Sequence, residues 1–466
     1  MLIIYPNEQI IQSIMLDIKF IRNNPDIVKK AIKNKKVDLD LDELISVDEE
    51  RRKILGEVEA LKAEQNQRSK GPPDKAPFNK APFDKAQGGQ GKQLPADIEG
   101  LKELKNKIKK LDDELVTVEK KFETLMEAVP NIPTEDTPVG SDESGNKVLR
   151  QWGDPKKFSF KPKEHWKIGE ELDLIDNESA SRVSGARFTY LKGGLALMQF
   201  ALIQYALSVF IDGKQLMKII KQAGLDIKPV PFVPVVPPVM IRPEVFQKMA
   251  RLEPKEERYH ISSDDLYLVG SAEHTLGAMH MGEMLEEKDL PLRYIGYSTA
   301  FRREAGSYGK DTKGILRLHQ FDKLEMESFC LPEDSIKEQD FFVAVQEHLV
   351  QALDIPYQVV AICTGDMGGP DARQIDIEMW MPGQDKYRET HTADLMTDYQ
   401  SRRLGTKVRR NPPVGGGSEF VHMNDATAIA VGRTLIAIIE NYQTEGGTIE
   451  VPKVLRKYMG GIKEIK

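Results

Sequence analysis

Residues Phe301–Glu325 read FRREAGSYGKDTKGILRLHQFDKLE, and the rest of the chain is organised around them. The stretch opens with an Arg-x-Glu pair, Arg302 and Glu304. A loop with Gly306, Gly309, Lys310, Lys313 and Gly314 comes next, and Arg317, Phe321 and Glu325 close it at spacings of four. The alternation Arg317-Leu318-His319-Gln320-Phe321 predicts a strand with every second side chain on one face. The reading is therefore strand, basic loop, strand. One face carries a guanidinium, two carboxylates and an aromatic ring. That set suits a nucleoside triphosphate, with Arg on phosphate oxygens, Phe on a base and Glu on an ammonium or a metal. The plain alternative on pattern alone is a charged hairpin exposed to water.

The 466 residues suffice for two or three domains, and 40% hydrophobic with 30% charged residues gives a sizeable core under a polar surface. A net charge of -7 carries no global signature of nucleic-acid binding, although a local basic patch remains compatible with it. Two cysteines, Cys330 and Cys363, are too few for a disulfide framework or a Cys-based zinc site, and read as buried thiols in a reducing cytosol. The most apolar run, Leu195 to Phe210, contains Gln199 and Gln204 and is shorter than a membrane span, so it reads as a buried helix. The start, MLIIYPNEQIIQSI, lacks the basic n-region and cleavage site of a signal peptide.

From Leu41 to about Lys70, Leu44, Val47, Ile54, Val58 and Leu61 recur at helical spacing, interrupted by Arg51 and Gln65. Leu101, Leu104, Ile108, Leu111, Leu115, Val118, Phe122 and Leu125 form a cleaner a/d repeat. Ser46 with Glu49 is the expected capping box of the first helix. Two such segments predict an antiparallel helical hairpin, its second helix about 40 Å long. The tip, residues 71–95, repeats KAPF and ends in a Gly- and Gln-rich run, so it reads as flexible.

Asn131 to Lys147 is rich in Pro, Asp, Ser and Gly and reads as a linker. Gly224 to Arg242 alternates Pro with Val and Ile, which confines it to a sheet edge. Tyr267, Val269 and Ser271 alternate into Ser271-Ala272-Glu273, a strand end. His274 and His280 lack the third ligand a zinc site needs. Gln374 to Gly383 alternates as a strand, and Tyr387-Arg388-Glu389-Thr390-His391-Thr392 comes after it. Ala428, Val431, Leu435, Ile438 and Ile439 predict an amphipathic helix carrying Arg433.

These segments together resemble the class II aminoacyl-tRNA synthetases. F-R-x-E, a loop, then R-x-x-x-F-x-x-x-E is similar to motif 2; Pro238 falls in a segment resembling motif 1; Arg433 sits in one resembling motif 3. The EAG loop start, the HQFDK run and the helical hairpin resemble the seryl-tRNA synthetases in particular, and the likeness runs from Met15 to the end, the tip excepted. The resemblance implies an α+β fold, a catalytic domain built on an antiparallel β-sheet flanked by helices, with an N-terminal antiparallel coiled-coil arm. The divisions it implies are an extension or misassigned start at 1–14, a tRNA-binding arm at 15–129, a linker at 130–150 and a catalytic domain at 151–466. By the same resemblance, ATP would meet Arg302, Arg303, Glu304, Leu318, His319, Gln320, Phe321, Glu389, Thr390, His391, Thr392 and Arg433, with Arg302 and Arg433 catalytic. Serine would meet Ser271, Ala272, Glu273, Arg302, Glu325 and Thr427. Mg²⁺ would be held by Glu389 and Thr392, which supply hard oxygens.

The implied partners are L-serine, tRNA(Ser), tRNA(Sec) and a second copy of the chain, in the cytoplasm and with no membrane. Three places depart from the family pattern: His274-Thr275 after Glu273, Thr390-His391-Thr392 after Glu389, and Thr427 in place of a serine. His391 reads as a packing or hydrogen-bonding group. The alternative reading is a synthetase-like ligase that charges a carrier protein, and the long arm argues against it.

Overall fold

The computed structural model describes residues 17–69, 98–305, 313–411 and 417–466. The KAPF tip, Lys310 and the first residues of the chain lie outside them. The described residues fall into two compact units, Asp17–Ile32 with Val37–Val129, and Lys33–Lys36 with Pro130–Lys466.

The first unit is dominated by helices α1 (Leu41–Ser69) and α2 (Ile98–Ala128). Ion pairs link Glu43 to Lys121, Arg51 to Glu119 and Lys62 to Asp112, so the helices run in opposite directions. Val47, Ile54, Val58 and Val118 form the seam, with Leu111, Leu115, Phe122 and Leu125 against them. Arg51, which interrupts the apolar pattern, lies over the Phe122 ring at 4.9 Å and so keeps its charge in a packed position. The cap is Asp40, not Ser46: its Oδ1 accepts from the backbone N–H of Asp42 and Glu43, and Ser46 sits inside the helix.

The second unit is built on an eight-stranded sheet. Its strands are β1 (Lys147–Trp152), β2 (Val233–Val235), β3 (Leu292–Phe301), β4 (Gln320–Cys330), β5 (Tyr357–Ala361), β6 (Arg373–Met381), β7 (Lys386–Thr397) and β8 (His422–Ala430). Their spatial order is β1-β5-β6-β7-β8-β4-β3-β2. All neighbours are antiparallel except β2 on β3. The proline-bearing β2 is an edge, as its missing donor requires.

Helices α3 (Gly193–Phe210), α4 (Gly213–Ala223), α5 (Ser335–Ala352) and α6 (Val431–Asn441) supply apolar side chains to one core with the sheet. Helix α3 is long and apolar enough to cross a membrane by length and composition, but Leu195, Met198, Leu202, Ala206 and Phe210 are buried in this core. Both cysteines are buried and free.

Four expectations are corrected. The strand of the opening stretch begins at Gln320, not Arg317, because the His319 N–H goes to the Arg187 carbonyl and Gly314 turns the chain at φ +71°. The strand before Ser271 ends at Leu268. Ala428 belongs to β8, and α6, amphipathic in sequence and carrying Arg433 in its first turn, begins at Val431 and is buried along most of its length. Residues 130–150 are not a free linker: the Asn131 amide donates to the Pro370 and Met396 carbonyls, and β1 pairs with β5 from Lys147.

One buried pair ties the edge to the centre. Arg293 on β3 donates to Glu338 of α5 through Nε at 2.9 Å and through a terminal nitrogen at 2.5 Å. It also donates to the carbonyls of Lys228 and Val230, just before β2. Removing one partner of such a pair strands a buried charge. Arg293→Met is expected to lower the unfolding free energy by about 3–5 kcal/mol in urea titration; a loss below about 1 kcal/mol would show that the clamp does not hold the edge.

Candidate active site

A cavity of about 230 Å³ opens on the sheet where β4, β7, β8 and the start of α6 converge, just past the end of β3. Its wall includes Arg302, Glu304, Leu318, Phe321, Lys323, Glu389, Thr390, Thr392, Thr427 and Arg433. Phe321, Lys323 and Glu325 share a face of β4 through the two-residue strand period. Glu389 and Thr392 are three apart, so a regular strand would point them to opposite faces. A β-bulge removes the conflict: Ile377 pairs with His391 and Glu378 with Glu389, leaving Thr390 as the extra residue. A second bulge leaves Ala428 extra, so that Leu324 faces Ile429 while Glu325 faces Thr427. Thr427 and Ala430, also three apart, then line the same cavity.

At one end, the Arg302 guanidinium lies 5.4 Å from the centre of the Phe321 ring and donates through Nε to the Gly270 carbonyl. Arg433 donates to the Glu389 carboxylate at 2.8 Å and to the Glu389 carbonyl. Arg433 holds that carboxyl below its ordinary range. Half of the Glu389 side-chain surface is open.

At the other end, Glu325 is fully buried. Its Oε1 accepts from Ser271 at 2.9 Å and from Thr427 at 3.4 Å, and Lys323 pairs with it. Its Oε2 accepts no hydrogen bond from the described residues. Burial raises this carboxyl even with Lys323 against it. Glu273 behaves in the opposite way. Burial alone would raise it, but Arg251 at 3.0 Å, with Lys323 and Arg302, holds it at about 2. Burial keeps His274 far below its usual range, so it is neutral.

Beyond Glu325 lies a row that sequence reasoning missed. Glu327, Asp425 and Asp394 stand directly opposite one another across β4, β8 and β7. Like charges so placed repel. Arg251 is 3.5 Å from Asp425, 3.6 Å from Asp371 and 3.9 Å from Asp394. Burial pushes the Glu327, Asp394 and Asp425 carboxyls well above their usual values. Lys323, Glu327, Asp394 and Asp425 are two residues from Glu325, Thr392 or Thr427, so the strand period carried their signal. Arg251 comes after the short helix Pro243–Lys248, and no local pattern marks it.

Not every expected residue reaches the cavity. Ser271, Ala272 and Glu325 are buried and do not line it, while Arg303 is exposed beside Tyr259. His319 uses Nδ1 on the Arg302 carbonyl and thereby braces the Arg302 backbone. Gln320 is exposed. His391 is buried, with its Nδ1 2.8 Å from the Thr390 hydroxyl and its pKa pressed down to about 3 by burial.

A largely antiparallel sheet with Phe and Glu on one strand, an Arg just past the end of its neighbour and an Arg at the head of a central helix is the catalytic core of a class II aminoacyl-tRNA synthetase. Residues 257–442 match the tRNA synthetase class II core domain (G, H, P, S and T), and residues 15–133 match the seryl-tRNA synthetase N-terminal domain. The chain is 40% identical over 445 residues to a serine–tRNA ligase of Symbiobacterium thermophilum, covering 95% of this chain and 98% of that one. It is 40% identical over 454 residues to the one of Nitratidesulfovibrio vulgaris, covering 97% and 100%. The crystal structure of a seryl-tRNA synthetase from Pyrococcus horikoshii complexed with ATP superposes with a TM-score of 0.82 at 37% identity, covering 97% of this chain and 99% of that one. The chain belongs to the seryl-tRNA synthetase family, and its activity is the ATP-dependent attachment of serine to tRNA.

Glu327 gives a test of the buried row. Its folded-state pKa is raised above the unfolded value, so its contribution to stability is complete below about pH 4.5 and is lost as pH rises. Glu327→Gln removes that titration. The variant should gain on the parent between pH 5 and pH 8 by up to about 1.4 kcal/mol per pH unit in urea unfolding. A difference that does not change with pH would remove Glu327 from the set of buried neutral acids.

Proposed function

We propose that this enzyme charges tRNA(Ser) and tRNA(Sec) with serine through a seryl-adenylate, and that the cavity beside Phe321 and Arg433 is where both steps occur. The observation that carries the reading is the convergence of Arg302, Phe321, Glu389 and Arg433 on one wall, with Thr427, backed by the buried Glu325, at its far end. In the first step a serine carboxylate oxygen attacks the α-phosphorus of ATP. The bond to the bridging oxygen breaks and pyrophosphate leaves. Arg302 neutralises the α-phosphate and the carboxylate, Arg433 holds the γ-phosphate, and adenine stacks on Phe321. No dedicated base is needed, because positioning and charge neutralisation carry the step. In the second step a ribose hydroxyl at the tRNA 3′ end attacks the acyl carbon, and AMP leaves.

Glu389 is ionised and open to the cavity, and the Thr392 hydroxyl shares its wall, so the donor set fits Mg²⁺, which takes one or two protein oxygens beside phosphates and water. Bound there, the ion would neutralise phosphate charge. Glu273 and Thr427 line the end that meets the serine hydroxyl and ammonium, and the buried Glu325 and Ser271 hold Thr427 from behind. A pocket built to hydrogen-bond a hydroxyl rejects alanine because its own groups would be left unpaired.

The helical unit is the tRNA-binding arm, reading the long variable arm by phosphate and shape. Exposed Leu197 and Phe200 on α3, Val233 on β2, and Val236 and Met240 beyond it support a homodimer through this edge. The enzyme serves translation in the cytoplasm.

ATP–pyrophosphate exchange with serine, threonine and alanine, then charging of total tRNA, tests the proposal. Exchange should depend on serine, and its absence would sink the reading. Arg302→Ala should abolish exchange. Deleting residues 41–125 should spare exchange and abolish charging; charging that survives the deletion would take tRNA binding away from the arm.

A further inference from the structure

Arg251 lines the cavity together with Glu273, Asp394, Gln374 and Thr427, at the serine end. Neither reaction step makes use of it.

The backbone that presents this side chain is held in an uncommon shape. Ala250 adopts φ +55°, in the left-handed region where residues other than glycine are rare. Such a conformation persists only where its surroundings over-determine it. Three hydrogen bonds do so here. The Gln400 amide donates to the Met249 carbonyl at 3.0 Å, and the Arg258 guanidinium donates to the Arg251 carbonyl at 2.7 Å. The Arg251 N–H donates to the Phe246 carbonyl at 3.3 Å. The turn after the helix Pro243–Lys248 thus sends one arginine into a nest of carboxylates.

Those four carboxylates differ in what they face. Asp371 and Asp425 are buried and do not line the cavity. Asp371 is itself fixed. The buried Lys35 ammonium donates to the carbonyls of Gly368, Gly369 and Asp371, and a Cβ on Gly368 would displace the Asp371 carboxylate. Asp394 and Glu273 both stand in the cavity wall. Asp394 lies 3.9 Å from Arg251 and accepts from the Thr392 hydroxyl. Glu273 lies 3.0 Å from Arg251 and is the nearest of the four. The buried pair anchors Arg251, and the carboxylate it presents to a ligand is Glu273. With Arg251 gone, Lys323 and Arg302 would remain as the cations near Glu273, and burial would oppose its charge.

We propose that Arg251 is a positioning residue for the amino acid: it holds the Glu273 carboxylate in the cavity wall, and that carboxylate takes the ammonium of serine. It acts through Glu273 and not on the reacting atoms. The geometry suits an arginine, whose planar fork reaches several carboxylates at once, whereas the ammonium of lysine is a compact point charge. This inference rests on the reading of the Glu273 and Thr427 end as the serine end, and adds the group that sets its affinity.

The test measures serine-dependent pyrophosphate exchange on the full-length enzyme with Arg251→Met, Arg251→Lys, Glu273→Gln and the double variant Arg251→Lys/Glu273→Gln. Arg251→Met should raise the KM for serine roughly 10- to 150-fold, the span for one hydrogen bond to a charged group. The kcat and the KM for ATP should stay within about twofold of the parent, as for a contact made equally in ground and transition states. Arg251→Lys keeps the charge, serves if the methionine variant does not fold, and should raise the serine KM by a smaller factor. Because Arg251 works through Glu273, the double variant should be no worse than Glu273→Gln alone. Additive losses, a KM for ATP rising in step with that for serine, or an unchanged serine KM in the Arg251 variants would each overturn the proposal. An unchanged serine KM in Glu273→Gln would overturn the placement of the ammonium on which it rests. A parent enzyme without serine-dependent exchange would instead overturn the function itself.

Discussion

The site depends on two β-bulges in adjacent central strands. Side chains alternate strictly along a strand, so residues an odd number apart cannot share a face. Thr390 and Ala428 are the extra residues that break this rule in β7 and β8. Through them Glu389 joins Thr392, and Thr427 joins Ala430, on the wall that β4 completes with Phe321 and Lys323. Without the bulges half of these groups would point into the helices on the other side of the sheet. The bulges also bring α6 in with Arg433 beside Glu389.

The second constraint is charge in a dry interior. Around the Glu325 end of the cavity stand Glu273, Glu325, Glu327, Asp371, Asp394 and Asp425, with Lys323 and Lys35 buried and Arg251 partly buried among them. They cannot all ionise. The fold resolves this unevenly: Glu273 stays ionised against Arg251, while burial pushes the Glu327, Asp394 and Asp425 carboxyls well above their ordinary values. A low local dielectric strengthens what pairs remain and makes each unpaired oxygen costly. Such a network is rigid for the same reason, which is what a site working by positioning needs.

Part of the cavity wall was legible. The opening stretch named Arg302 and Phe321, and the strand period would have added Lys323. The heptads of the helical hairpin were read in place, since a seam is a local pattern. The errors have physical causes. Ser46 looked like a cap, but Asp40 reached two free N–H groups first. Ala428 fitted a helical period because the buried apolar end of β8, Ala428 to Ala430, runs directly into α6 at Val431. Residues 130–150 have the composition of a linker, yet Asn131 finds two carbonyls on the sheet and β1 finds an edge.

The sequence by itself determined the strands, the helical arm and the residues able to neutralise a triphosphate, because periodicity and side-chain chemistry are properties of neighbours along the chain. Only the tertiary structure decided which of those residues meet. The parity of β7 and β8 is set by pairing with strands far away in sequence. Arg251 acquires its meaning from Glu273, Asp371, Asp394 and Asp425, which converge on it from four segments. The turn that presents Arg251 is fixed by Gln400 and Arg258, and contacts of that kind leave no local period to read.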